Sequence, residues 1–80
     1  MEVKTPAGPL TIGAMYDLTL RHGENERPMR AKIVAFEHVE RIYDDEMIAV
    51  DRTVETRYRA ESEDEVVGFL PEHVLSAELA

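Results

Sequence analysis

The segment Ala14-Met15-Tyr16-Asp17-Leu18-Thr19-Leu20-Arg21 decides the fold class of this chain. Apolar residues occupy its even positions, and polar residues fill all but one of its odd positions. An alternation with a period of two directs one face of an extended segment toward a core and the other toward water. The segment therefore predicts a β-strand that is covered on one side.

Two longer segments downstream have the same extended character. Residues 29–43 contain a nearly continuous apolar centre, and residues 48–60 keep an inward row on their even positions that only Arg52 breaks. A strand of that length must bend or split, so Asp51-Arg52 is the expected place for a bulge or a tight reversal. Residues 38–43 fit either a strand or a helical turn, because their apolar residues recur at three- and four-residue steps.

Proline and glycine mark both ends of the chain. Residues 1–13 contain two of each and predict an irregular N-terminal arm, which leaves residues 14–80 as a single small domain. Pro71 ends a short strand and begins a helical turn, and residues 75–80 fit either a last strand or a short helix. Five or six short strands without an internal repeat predict an all-β fold, in the form of a small antiparallel barrel.

Two segments resemble the ends of an SH3-type barrel. Residues 14–18, Ala-Met-Tyr-Asp-Leu, are similar to the opening ALYDY motif of that family, and residues 68–74 are similar to its closing strand, proline and turn. The resemblance implies an SH3-like barrel with a short helical turn near the C terminus. It does not imply recognition of proline-rich ligands, because the chain has no tryptophan and keeps only Tyr16 and Pro71 of the groove positions.

The chain is strongly acidic, with 17 Asp and Glu residues against 9 Lys and Arg residues and a formal net charge of −8. A surface of one sign attracts a basic protein and repels nucleic acid and anionic lipid. We therefore expect a basic protein partner, and neither direct nucleic-acid binding nor membrane binding. The candidate partner-binding residues lie in the predicted turns and are Glu24, Glu26, Asp44, Asp45, Glu46, Glu61, Glu63, Asp64 and Glu65.

No residue pattern points to catalysis. Cysteine is absent, and the three histidines, His22, His38 and His73, lack the spacing of metal ligands. Neither serine lies in a nucleophile motif, and carboxylates in solvated turns lack the burial that acid–base catalysis requires. We expect no enzymatic activity, no metal and no cofactor.

The sequence therefore favours a non-enzymatic acidic interaction protein. Carboxylates with phosphate-like spacing can occupy a groove built for DNA or RNA, so one form of this function is a nucleic-acid mimic that inhibits a nucleic-acid-binding complex. In size, acidity and lack of enzymatic motifs the chain resembles small phage inhibitors such as anti-CRISPR proteins. The alternative is an acidic β-barrel adaptor or structural subunit of a larger assembly. A halophilic host would explain the acidity without any partner.

Two expectations concern the setting of the protein. The lack of cysteine, of a signal peptide and of an apolar run long enough to span a membrane makes the cytoplasm the expected compartment. A second copy of the chain is a further candidate partner, because small barrels pair through exposed strand edges and Met15 and Met47 offer apolar surface.

Overall fold

The computed structural model describes the backbone of residues 1–80 and every side chain except that of Thr53. Its strands are β1 (Glu2–Thr5), β2 (Gly8–Thr11), β3 (Met15–His22), β4 (Asn25–Tyr43), β5 (Ala49–Glu61), β6 (Val66–Phe69) and β7 (Val74–Leu79). A 3-10 turn, Pro71–His73, links β6 to β7. The fold is all-β, and the turn near the C terminus lies where the sequence predicts it.

The strands form two antiparallel sheets. β1 pairs with β2, and the other five strands follow the order β6-β5-β4-β3-β7. From β3 to β6 the chain is a meander, and β7 returns to pair antiparallel with β3. The order is open, with β6 and β7 at its edges, so the closed barrel expected from the sequence is not shown.

Residues 1–13 form a regular hairpin, and the prediction of an irregular arm is wrong. Val3 of β1 pairs with Leu10 of β2, and both side chains are buried. Gly8 and Gly13 have φ angles of 105° and 92°, which glycine adopts freely because it lacks a Cβ atom. Gly8 therefore follows directly on the turn between β1 and β2, and Gly13 lies in the turn that leads from β2 to β3.

The core lies between this hairpin and one face of the five-stranded sheet. In β3 the even residues Tyr16, Leu18 and Leu20 are buried, as the alternation predicts. The Tyr16 hydroxyl accepts a hydrogen bond from the backbone N–H of Thr11 at 2.8 Å, which ties the hairpin to the sheet. The buried apolar residues are Val3, Leu10, Tyr16, Leu18, Leu20, Ala31, Ile33, Ala60 and Val74.

Both segments for which the sequence allowed strand or helix are extended. Residues 38–43 continue β4, and residues 74–79 form β7. Each segment has a neighbouring strand to pair with, β5 for the first and β3 for the second. Backbone pairing with these neighbours satisfies the N–H and C=O groups of each segment without a helix.

A bulge interrupts β5 at Val54 rather than at Asp51-Arg52. His38 is opposite Glu55 and Val39 is opposite Thr53, so Val54 has no partner in β4. The extra residue changes the side to which the following even residues point. The expected inward row along β5 therefore holds only beyond the bulge, toward Ala60.

β4 and β5 project beyond the rest of the sheet. β3 pairs with β4 only as far as Lys32 of β4, and β6 pairs with β5 only as far as Tyr58 of β5. Residues 37–56 therefore form a two-stranded hairpin, which we call the arm. It makes the molecule elongated, at 50 × 29 × 25 Å, and the radius of gyration is 15.4 Å. A compact chain of this length would have a radius of gyration of about 12 Å.

Candidate protein-binding surfaces

The structure separates the nine predicted partner-binding carboxylates into two groups. Asp44, Asp45 and Glu46 form the arm-tip group, in the turn between β4 and β5. The body-end group lies around the β3–β4 and β5–β6 turns and contains Glu24, Glu26, Glu61, Glu63, Asp64 and Glu65. The 19 residues of β4 run between Glu24 and the arm tip, so the two groups lie at different ends of this strand.

Two carboxylates of the body-end group are neutralised locally. Glu65 accepts a hydrogen bond from the Arg27 guanidinium, which connects the β5–β6 turn to the first part of β4. Glu61 accepts a hydrogen bond from Arg59 Nε at 2.9 Å. These two carboxylates are half-buried, so they contribute less than the others to the field outside the protein.

Glu63 and Asp64 are the most available carboxylates of this group. Ser62 closes the turn beneath them, since its hydroxyl donates to the Glu65 carbonyl at 3.1 Å and accepts the Glu65 N–H at 3.2 Å. Both Glu63 and Asp64 are exposed. Neither makes an ion pair with any residue that the structure describes.

In the arm-tip group, Asp44 has a structural role. Its Oδ1 accepts hydrogen bonds from the backbone N–H groups of Glu46 and Ile48, both at 2.9 Å. The Met47 N–H donates to the Asp44 carbonyl at 3.0 Å, and Met47 has a φ of 64°, which is uncommon for a residue with a side chain. Asp45 and Glu46 extend from this turn into solvent.

Most arginines are engaged with nearby carboxylates. Arg30 is the clearest case, because its Nε and Nη2 donate to the two carboxylate oxygens of Asp17 at 2.7 and 3.0 Å. This hydrogen-bonded pair lowers the pKa of Asp17 and raises the pKa of Arg30. The other pairs are Arg27–Glu65, Arg41–Asp51, Arg57–Glu55 and Arg59–Glu61. Each pair is neutral, so the rest of the chain carries the whole net charge of −8.

A groove at the base of the arm was not anticipated from the sequence. It has a volume of about 600 Å³ and opens to solvent between the β3–β4 turn, the middle of β5 and the 3-10 turn. The Tyr58 and Phe69 rings contact each other on its wall, with centroids 6.2 Å apart. Its lining contains the apolar residues Tyr58, Phe69, Leu70 and Pro71, the histidines His22 and His73, and the charged residues Arg21, Arg27, Arg57 and Glu55.

Of the two groove positions that the SH3 resemblance suggested, only Pro71 lines this groove. Tyr16, the other groove position kept from the SH3 resemblance, is buried under the N-terminal hairpin. Arg21 and His22 belong to β3, whereas Arg57 belongs to β5, so the wall of the groove is assembled from segments distant in sequence.

The residues that the structure describes show neither a metal-binding cluster nor a helical membrane span. They contain no group of three His, Asp or Glu side chains placed to hold a metal ion. No helix among them has the length and apolar character needed to cross a membrane. Comparison of the chain with protein-family models, curated proteins and solved structures found no match.

Proposed function

We propose that this protein is a non-enzymatic interaction module that binds a basic protein surface through its body-end carboxylates. The observation that carries the proposal is the exposure of Glu63 and Asp64 without ion pairs, in a domain whose net charge is −8. An anionic turn of this kind steers a cationic partner and sets its orientation.

The anchoring of the β5–β6 turn supports the body end for this role. The Arg27–Glu65 pair holds the β5–β6 turn against β4, so Glu63 and Asp64 stand on an anchored turn. Ser62 braces the same turn with two hydrogen bonds. Preorganised charges lose less conformational entropy on binding than charges on free loops.

Inhibition of a nucleic-acid-binding complex is the more specific form of this proposal. In that form the body-end carboxylates take the place of backbone phosphates on the lysines and arginines of the partner. Competition by duplex DNA or by RNA for the same partner distinguishes this form from a simple adaptor. Phage origin, anti-CRISPR activity and a cytoplasmic setting stay predictions.

The SH3-like fold is part of the same proposal. It is supported by the meander from β3 to β6, by the 3-10 turn that begins at Pro71, and by the return of β7 to the first strand of the meander. The opening and closing segments that carry the resemblance form β3 at one end and β6 with the turn at the other.

A cationic probe tests the proposal without knowledge of the natural partner. We would titrate a peptide of about ten arginines into ¹⁵N-labelled protein at low salt and follow the backbone amide chemical shifts. Binding of a cationic peptide to an acidic surface is electrostatic and weakens as salt is added. The largest shifts are expected at residues 62–65. Shifts that are largest at the arm tip, or equal over the whole surface, would contradict the proposal.

Two double variants with the same change of charge provide the matched comparison. Glu63→Arg with Asp64→Arg should weaken binding of the peptide by about tenfold, because it reverses both free carboxylates of the β5–β6 turn. Asp45→Arg with Glu46→Arg should weaken it by less, since these residues lie outside the body-end group. Equal effects would show that total charge, and not the body end, determines binding.

A further inference from the structure

The arm exposes apolar side chains on the face that forms the core elsewhere. By register, Val39 and Tyr43 lie on the same face of β4 as the fully buried Ile33. They are 48% and 57% exposed, whereas Ile33 is 0% exposed. The core-forming face of β4 therefore continues into the arm, where the exposed Val39 and Tyr43 alternate with Glu37 and the Arg41–Asp51 ion pair.

The opposite face and the tip of the arm add more apolar surface. Ile42 and Val50 are directly opposite each other across the strands, and both are exposed. Met47 and Ile48 at the tip are 76% and 54% exposed. A two-stranded ribbon is at best marginally stable alone, and exposed apolar surface of this extent is typical of protein-binding sites.

The groove complements the arm tip in both charge and polarity. Arg21 lines the groove and makes no ion pair with any described residue, whereas the carboxylate of the lining, Glu55, is neutralised by its ion pair with Arg57. Beside them is the apolar wall that contains Tyr58 and Phe69. At the tip, the carboxylates Asp45 and Glu46 directly precede the apolar pair Met47 and Ile48.

The length of the arm prevents the tip from reaching the groove of its own chain. Phe36 borders the groove, and its ring lies 5.0 Å from the Arg59 guanidinium at the base of the arm. Asp44 directly follows β4 and is eight residues beyond Phe36, a distance of roughly 27 Å in an antiparallel strand. The tip and the groove thus lie at opposite ends of the same ribbon.

We propose that two copies of this chain form a dimer through their arms, with the arm tip of each copy bound in the groove of the other. The arms lie antiparallel, and a twofold axis crosses them near Glu40, midway between Phe36 and Asp44. Such an axis places each tip at the partner's groove and covers the exposed core face of both arms. The interface is isologous and closed, so it ends at two copies.

This dimer does not depend on the proposed function. The body-end carboxylates Glu63 and Asp64 lie outside the arm and outside the groove lining. A dimer would present two such groups, one on each copy, to a basic partner. Either proposal therefore stands if the other fails.

Sedimentation of the full chain tests the dimer. Wild-type protein should sediment with twice the monomer mass of 9.1 kDa. Asp45→Arg with Glu46→Arg should raise the dimer dissociation constant by about two orders of magnitude, because it places like charges in both grooves. Arg21→Glu should weaken the dimer in the same direction, and circular dichroism would establish that each variant is folded.

Mixing the two weakened variants gives the decisive result. In the mixed pair, the reversed tip of one copy meets the reversed groove of the other, and the remaining tip and groove are both wild-type. Heterodimers should therefore form at concentrations at which each variant alone is monomeric. The Glu63→Arg, Asp64→Arg protein is the matched control and should dimerise like wild-type.

Three outcomes would overturn the proposal. The first is a wild-type chain that stays monomeric up to about millimolar concentration, where even weak interfaces form. The second is a dimer that is unaffected by reversal of the tip charges. The third is a mixture of the two folded variants that stays monomeric.

Discussion

At the scale of single residues, Asp17 shows how the fold changes the behaviour of a surface carboxylate. Its two oxygens accept hydrogen bonds from Arg30 across the β3–β4 pair, in which the two residues are directly opposite. Arg30 thereby lowers the pKa of Asp17 below 3.8, the ordinary value for an aspartate side chain. Opposite charges at such a cross-strand position stabilise an antiparallel pair.

A pH dependence of stability follows from this pair. Because the folded-state pKa is the lower one, the stabilisation is complete above the unfolded-state value of 3.8 and is lost as the pH falls through the folded-state value. Urea unfolding of wild-type protein and of Asp17→Asn, from neutral pH to about pH 2.5, measures the contribution.

The difference in unfolding free energy between these two proteins should shrink toward zero as the solution becomes acidic. Arg30→Gln provides the control, because it removes the cation and leaves the carboxylate. Its difference from wild-type should shrink over the same range. A difference that is constant with pH in both variants would contradict the assignment.

Asp44 illustrates what a sequence cannot show about a single residue. Its place in an acidic run made it a candidate partner-binding residue, like Asp45 beside it. The structure gives its Oδ1 two backbone N–H donors within the turn, so it organises the arm tip. Acidic residues commonly bond to the backbone of a turn, but which member of a run does so depends on the turn geometry.

At the scale of elements, β4 shows that one strand can belong to two environments. Its first part pairs with β3 and contributes the buried Ala31 to the core, whereas residues 37–43 pair only with β5 in the arm. The apolar pattern continues across the boundary, so it does not reveal where the neighbouring strands stop. The pattern therefore predicts that β4 is a strand, but it does not predict that the last part of β4 projects beyond the sheet.

Removal of the arm tests whether the body folds independently of it. We would delete residues 41–51 and join Glu40 to Arg52, which are directly opposite, through an Asn-Gly turn. This dipeptide favours the type I′ geometry that suits a two-residue hairpin. The core lies outside the deleted segment, so cooperative unfolding should be retained.

Thermal unfolding of the truncated protein would be followed by circular dichroism, and its oligomeric state would be measured by sedimentation. The expected result is a single cooperative transition together with loss of the dimer. The same deletion joined by four glycines controls for the turn, and it should be less stable because glycine loses more entropy on folding. A truncated chain without a cooperative transition would show that the arm belongs to the folding unit.

At the scale of the whole molecule, the N-terminal hairpin completes the core. Val3 and Leu10 pack with residues of β3, β4, β5 and β7 in one cluster. A chain of 80 residues has little apolar surface to bury, so each fully buried side chain contributes a large share of a small total stability. Residues 1–13 are therefore part of the domain and not an appendage.

Truncation of Leu10 measures that contribution. Leu10 is 2% exposed, so Leu10→Ala should lower the unfolding free energy by about 2–5 kcal/mol through lost burial and a residual cavity. Leu79→Ala is the matched control, because Leu79 is 72% exposed and the same substitution should change stability by less than about 0.5 kcal/mol. Equal effects in urea unfolding would contradict a core role for the hairpin.

The sequence by itself determined the all-β class, the turn at Pro71 and the strand predicted at residues 14–21, which the structure has at Met15–His22. These features depend on local alternation of side chains and on the fixed φ of proline, which act within a few residues. It also determined the excess of negative charge and its concentration in turns, because these are properties of composition and order along the chain.

Only the tertiary structure decided the hairpin at residues 1–13, the projecting arm, the bulge at Val54 and the groove at the base of the arm. Each of these depends on which distant segments become neighbours, and so on the entropy and packing of the whole chain. Arg21, Tyr58 and Phe69 become one surface because β3, β5 and β6 meet there, which no local pattern encodes.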